Sequence, residues 1–348
     1  MIDVDTKGLY FAIKFAAACL SAFLFVGISA NLISGLFYTS DIKIVEAQNL
    51  ASATNPVKIA GGDRLRLAFV GDIMLDRGVK ESILKNGGGD YRYIFENIYQ
   101  NLRNYDVLFG NLEGPISDKG QDQESFYSFR MRPETANALA WAGFDMVSVA
   151  NNHIWDWGAE ATMETLRHFS EASIKYAGIG LTRIDAYSAN NIIVNGVKIA
   201  FLAFTDISGA FKETGSLDKP TVALTFEKEI ESGVKAARRK ADVIIVYFHF
   251  GDEYKQEPNE NQKQLAHLAV DSGADLVIGS HPHVVQSIEQ YKNGYIAYSL
   301  GNFIFDQDFS EDTMRGLLLE VELENGQIIK IMPKTVIING NFQPTQLR

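Results

Sequence analysis

The chain has 348 residues, 46% of them hydrophobic and 22% charged, which is enough apolar sequence to bury a large core and excludes a disordered chain. A net charge of -11 and a pI near 5.1 argue against nucleic acid as a partner, because phosphate backbones are held by clustered Lys and Arg. The single cysteine, Cys19, excludes an intramolecular disulfide.

In chain order, the first feature is the uncharged run Phe15 to Tyr38. About 20 apolar residues at a rise of roughly 1.5 Å span a bilayer core, and a cleavable leader usually has a shorter run. Residues 1–40 therefore read as an uncleaved signal anchor with a single transmembrane helix, ahead of cleavage near Ala47 or a buried core helix. Residues 41–63 mix small, polar and breaker residues without periodicity and read as a linker. The folded domain is expected over 64–345.

Within that domain, short β-branched and aromatic runs read as strands at 65–70, 106–110, 145–150, 198–204, 242–250, 275–280 and 295–300. Residues 133–142, 158–173, 227–240 and 259–273 read as helices. Alternating strands and helices imply an α/β architecture. After Gly301, "ENG" between apolar runs signals a hairpin, so a mixed sheet, or two stacked sheets with helices outside, fits better than a purely parallel one.

Polar residues collect after the strands: "GDIML", "NLEG", "NNHIWDWG", "HFGDE", "HPH" and "GNFIFD". In open α/β sheets ligands bind outside the carboxyl ends of strands, so these clusters point to one site. Asp72, Glu113, Asn152, His249, His281 and His283 supply nitrogen and oxygen donors suited to a divalent transition ion. In "HPH" the proline stiffens the turn and sets the two imidazoles in a defined relation. His168 and His267 fall inside predicted helices and read as structural. The basic run "KAARRK" at 235–240 reads as a solvated helix end.

The ordered motifs Gly71-Asp72, Gly110-Asn111 with Glu113, Asn151-Asn152-His153, His249 and Gly279 to His283 resemble the metallophosphoesterase, or calcineurin-like, superfamily. The fuller wording, "FVGDIMLDRGV", "GNLEGPIS", "VSVANNHIWDWG", "YFHFGDEY", "GSHPHVVQ" and "YSLGNFIFD", is similar to the bacterial CapA family of capsule and poly-γ-glutamate synthesis proteins, over about residues 64 to 335. The resemblance implies a β-sandwich of two mixed sheets flanked by helices. It also implies a centre of one or two divalent ions of the Mn, Zn or Fe type, held by Asp72, Asn152, His249, His281 and His283, with Glu113 as a further ligand. His153 is implied as the general acid, and Asp156 and Arg77 are candidate catalytic residues beside it. Trp155, Glu253, Asn302 and Asp306 are candidate substrate-binding residues. Two departures stand out: Met74 where the superfamily carries a histidine, and Asn111 where it carries a bridging aspartate.

The expected location is the cell membrane, single-pass, with the domain extracytoplasmic. The expected partners are an extracellular anionic polymer or its lipid-linked precursor and the subunits of a membrane synthase. Either a metal-dependent phosphoesterase-like hydrolase or a non-catalytic metal-binding subunit fits these residues, as does a tethered phosphatase with a small substrate.

Overall fold

The computed structural model describes residues 64–209, Phe211 and residues 220–347; the expected anchor and linker lie outside these residues. Two mixed sheets carry the fold, with helices outside them. The first runs in the order Pro344–Leu347, Gln327–Ile338, Arg315–Glu324, Arg64–Ile73, Val107–Leu112, Met146–Ser148 and Lys175–Ala177, and the short strand Asn302–Ile304 pairs with the end of Arg64–Ile73. The second runs Ile288–Tyr291, Gly294–Ala297, Leu276–Ser280, Val243–His249, Val197–Thr205 and Asn190–Val194. Among the described residues no helix is long and apolar enough to cross a membrane.

The inner faces of the two sheets share one apolar core, in which the Phe109 ring stacks on Phe201 at 5.5 Å and meets Tyr247 at 5.4 Å. The central strands read as unbroken apolar runs because both faces are covered. In Val243–His249, Val243, Ile245 and Tyr247 enter the core between the sheets. Ile244, Val246 and Phe248 face the helices Glu227–Arg238 and Glu260–Ser272 through Ile230, Val234, Leu265 and Ala269. Strand alternation then carries His249, two residues after Tyr247, to the inner face at the strand's carboxyl end, and carries Asn111 there two residues after Phe109.

Local signals agree with this frame. Asn259 and Gln262 form a capping box at the start of Glu260–Ser272, and Gly273 ends that helix with φ 117°. Asn325 and Gly326, with φ 53° and 72°, turn the hairpin between Arg315–Glu324 and Gln327–Ile338. The expected strand at 295–300 is shorter, Gly294–Ala297, because the chain bends at Gly301, φ 66°, into Asn302–Ile304. The helix Arg77–Asn86 was not signalled by periodicity: it buries only Val79, Ser82 and Ile83.

Gly71 shows why "GD" follows the first strand. A Cβ there would lie 1.8 Å from the Gly301 carbonyl oxygen, which accepts from the Asp72 N–H at 3.0 Å. Gly71→Ala must separate these two strands, and overpacking typically costs about 1–3 kcal/mol, occasionally more. The expected result is a melting temperature lower by roughly 5 °C or more in a thermal melt; an unchanged value would mean that the two strands are not in contact.

Candidate metal centre

Six chain segments bring their polar ends together between the sheets. Asp72, Asn111, Glu113, His249, Ser280 and Asn302 are fully buried there. The Asp72 carboxylate accepts from Asn111 Nδ2 at 2.8 Å and from the His281 N–H at 3.2 Å, and lies 3.4 Å from His283 Nδ1. His249 Nε2 meets Asn152 Oδ1 at 2.8 Å, and its Nδ1 lies 3.1 Å from Ser280 Oγ. Ligand atoms of Asp72, Glu113 and His283 lie within 4.8 Å of one another, as do those of Glu253, His281 and His283.

The "HPH" turn is held in an uncommon backbone. His281 has φ 99° and His283 φ 57°, conformations that cost a non-glycine residue on the order of 1–3 kcal/mol each. They persist because neighbours overdetermine the turn: the Tyr254 N–H donates to the Pro282 carbonyl at 2.8 Å, and Asn302 Oδ1 meets His283 Nδ1 at 2.9 Å.

Charge is unevenly met in this centre. Burial, and then the Asp72 charge, push Glu113 well above the usual carboxylate range. Burial acts upward on Asp72 as well, but the hydrogen bond from His283 and the charges of His249 and His283 outweigh it and hold Asp72 well below that range. Burial opposes the charged form of His283, yet Glu113 and Asp72 raise it to about 9. His249 is lowered to about 3 by burial first, and His281 is pushed well below its usual value by burial and by the other two imidazoles. One buried carboxylate, Asp72, and one buried carboxyl that resists ionisation, Glu113, thus face one imidazolium and two neutral rings.

This donor set fits a divalent cation. Both Glu113 carboxylate oxygens and His281 Nδ1 are buried without a hydrogen-bond partner among the described residues. Leaving such groups unmet costs about 1–3 kcal/mol each, more for charged ones, and a cation between them removes that cost.

A second constellation adjoins the first. His153 Nδ1 lies 2.7 Å from Asp156 Oδ2, and its Nε2 lies 3.8 Å from Glu113 Oε1. Asp156 also accepts from Ser125 Oγ at 2.8 Å and from the Phe129 N–H at 2.9 Å, and the Phe129 ring packs 4.0 Å from the imidazole. The imidazole is therefore oriented with Nε2 toward the carboxylate centre.

The other expected residues divide. Asp306 pairs with the Arg77 guanidinium and accepts from the Gly78 N–H at 3.0 Å, while Arg77 lies over the Phe129 ring at 4.8 Å. Trp155 is 8% exposed and packs edge-on against Phe211 at 5.0 Å. Asn302 is buried behind His283 and does not line the surface. Glu253, expected to touch substrate, reaches the ligand atoms of His281 and His283. His168 and His267 lie away from the centre, near Glu171 and against Tyr291.

Both departures have a structural account. Met74 lies in the apolar core, its sulfur near the Asp76 N–H at 3.1 Å. The Asn111 amide is fixed between Asp72 and Asn151, whose Nδ2 reaches Asn111 Oδ1 at 3.3 Å. Sequence reasoning missed the supports, Ser125, Phe129, and Tyr247, which hydrogen-bonds Ser280. Only their proximity to the motifs marked them. Because outer partners orient metal ligands, Asn302→Ala should weaken divalent-metal affinity by about 10- to 100-fold. Isothermal titration of the variant checks this, and unchanged affinity would remove Asn302 from the centre.

Comparison with known proteins adds lineage to this geometry. The family model described as "Bacterial capsule synthesis protein PGA_cap" matches residues 66–307. The chain is 38% identical over 303 residues to the capsule biosynthesis protein CapA of Bacillus anthracis, covering 84% of this chain and 72% of that one. It is 35% identical over 261 residues to the PGA biosynthesis protein CapA of Bacillus subtilis (strain 168), covering 74% and 67%. Among solved structures, a phosphatase from Mycoplasma pneumoniae shares the fold with a TM-score of 0.51 at 13% identity, over 80% of this chain and 95% of that chain.

Proposed function

The chain belongs to the bacterial capsule synthesis protein family PGA_cap, and from that premise we propose that it acts in the synthesis, export or attachment of an extracellular polymer of the capsule or poly-γ-glutamate type by metal-dependent phosphoester hydrolysis. The uncharged run Phe15 to Tyr38 supports anchoring in the cell membrane with the domain outside. The observation that carries the hydrolase reading is the convergence of Asp72, Glu113 and His283 within 4.8 Å, with His153 Nε2 3.8 Å from Glu113.

In this reading Asp72, Glu113, Asn152, His249, His281 and His283 hold one or two ions of the Mn, Zn or Fe type, and Glu253 joins at the mouth. Such an ion, when bound, polarises a phosphoryl oxygen and lowers the pKa of water. The remaining chemistry belongs to side chains. Asp156 accepts a hydrogen bond from the Nδ1–H of the protonated His153 ring, so Nε2–H delivers its proton to the leaving oxygen as that oxygen's bond to phosphorus breaks and a water oxygen bonds to phosphorus, the water's proton passing to solvent. Ser125 and the Phe129 N–H keep the Asp156 carboxylate from turning away, and the Phe129 ring shields the imidazole from water.

The test is manganese-dependent hydrolysis of a generic phosphodiester by the full-length protein and by His153→Ala. Turnover that needs both the metal and His153 supports the hydrolase. Metal binding without turnover would overturn it in favour of a non-catalytic subunit of a membrane synthase, a reading that Asn111 favours, since its amide brings no negative charge between two cations.

A further inference from the structure

Large aromatic side chains exposed to water are costly unless something covers them, and clusters of them mark binding surfaces. Among the described residues five aromatic side chains are exposed, and four of these, Phe126 at 92%, Tyr127 at 53%, Tyr254 at 43% and Phe309 at 64%, stand around the metal centre. They form two edge-to-face pairs, Phe126 with Tyr127 at 4.8 Å and Tyr254 with Phe309 at 5.2 Å.

Both pairs are tied to the centre. The Tyr254 ring lies 6.1 Å from His283, and a chain of hydrogen bonds runs from the Tyr254 hydroxyl through Gln307 and Asn302 to His283, at 3.2, 3.0 and 2.9 Å. Tyr127 lies over the Arg77 guanidinium at 5.7 Å, and Arg77 also lies over Phe129, the ring that packs on His153.

The charge beside these rings selects what they can hold. Asp122 and Glu124 flank the first pair, and Asp252, Glu253 and Asp308 flank the second; the cations beside them are fewer, Arg130, Lys255 and Arg77, and Arg77 is already paired with Asp306. A polyanionic chain meets repulsion there, as it needs Lys and Arg. A sugar ring presents C–H faces to the aromatics and hydroxyl donors to the carboxylates.

We propose that the two aromatic pairs form a subsite for a neutral sugar ring, so that the phosphoester cleaved at the centre is one carried by a sugar. The substrate class is then a sugar phosphoester of a carrier or attachment point, with the polyanionic chain held outside. This rests on the hydrolase reading of the same centre, although the ring subsite itself needs no metal.

The experiment uses the full-length, zinc-loaded protein and competition binding of five common hexose and hexosamine 1-phosphates against glycerol 3-phosphate. Saturation-transfer NMR with the corresponding methyl glycosides runs in parallel. At least one sugar phosphate should bind roughly tenfold more tightly than glycerol 3-phosphate. That ratio should fall to near one in Tyr127→Ala/Phe309→Ala, a variant of two exposed side chains whose folding a thermal melt confirms. The methyl glycosides should show saturation transfer that the same variant loses. No sugar phosphate exceeding glycerol 3-phosphate by threefold, no transfer to any glycoside, transfer unchanged in the variant, or displacement of the sugars by tetra-γ-glutamate would each overturn the subsite. Failure of glycerol 3-phosphate to bind at all, with glycoside transfer intact, would sink the phosphoester reading while supporting the ring subsite.

Discussion

Replacing Glu113 with Gln should raise the melting temperature of the metal-free protein and remove most of the stabilisation that manganese gives the wild type. Glu113 is fully buried, neither of its oxygens has a hydrogen-bond partner, and Asp72 adds its charge to the cost of ionising it. The amide keeps the shape and cannot ionise, so the difference appears where pH is high enough to ionise the wild-type carboxyl and fades below that. A gain of about 1–3 kcal/mol follows, or a rise on the order of 5 °C in a domain of this size. Bound metal reverses the sign, because the carboxylate then contributes a charge-assisted ligand. Wild type should therefore gain about 2.7 kcal/mol when the metal is at about 100 times its Kd, and the variant much less.

The same centre sets a pH dependence. Glu113 has a folded value above its unfolded one, so the folded state binds that proton more tightly and stability falls as pH rises beyond the ordinary glutamate range. His283, raised to about 9, acts in the same direction: its contribution is fully present below its ordinary value near 6.5 and is lost as pH rises through 9. Asp72, held low, acts oppositely only in strong acid, and His249 and His281, whose neutral rings cost stability below the ordinary histidine value near 6.5, oppose this trend only partly at pH 6. Metal-free protein should thus melt lower at pH 9 than at pH 6, and metal, which displaces the His283 proton, should bind more tightly toward pH 9. Melts in chelator at the two pH values check the first statement, and a higher melting temperature at pH 9 would refute it.

His153→Ala should lower kcat on a phosphodiester by about 10²- to 10⁴-fold while leaving bound metal unchanged, because general acid catalysis contributes in that range. His153 Nε2 lies 3.8 Å from Glu113, and its other nitrogen is committed to Asp156. Loss of metal together with activity would make His153 a ligand instead of an acid. Asp156→Asn should lower kcat and alter the pH profile, since the amide holds the imidazole without stabilising its charged form; a change in KM alone would argue for a structural role.

The residues that could be read from sequence are those whose position follows from strand alternation. His249 comes two residues after an inward Tyr247 and Asn111 two after an inward Phe109, so a run of apolar residues already aims the next polar one at the cleft. Asn325-Gly326 announced its hairpin through backbone chemistry alone. What stayed hidden depends on packing between distant segments. Asn302 looks like a pocket residue until the strand Asn302–Ile304 is seen pairing with Asp72 and Ile73, which turns its amide onto His283. Arg77 reads as a candidate catalytic residue, and its pairing with Asp306, far along the chain, is seen only in the fold. The aromatic lips carry no periodic signal, because exposure is decided only when the loops have closed.

Anomalous diffraction from crystals of the protein grown with manganese tests the central claim most directly. The account predicts at least one peak within ligand distance of the Asp72 carboxylate and the His283 ring, beside Glu113. Crystals that show no peak there, or manganese bound only at surface carboxylates, would contradict it.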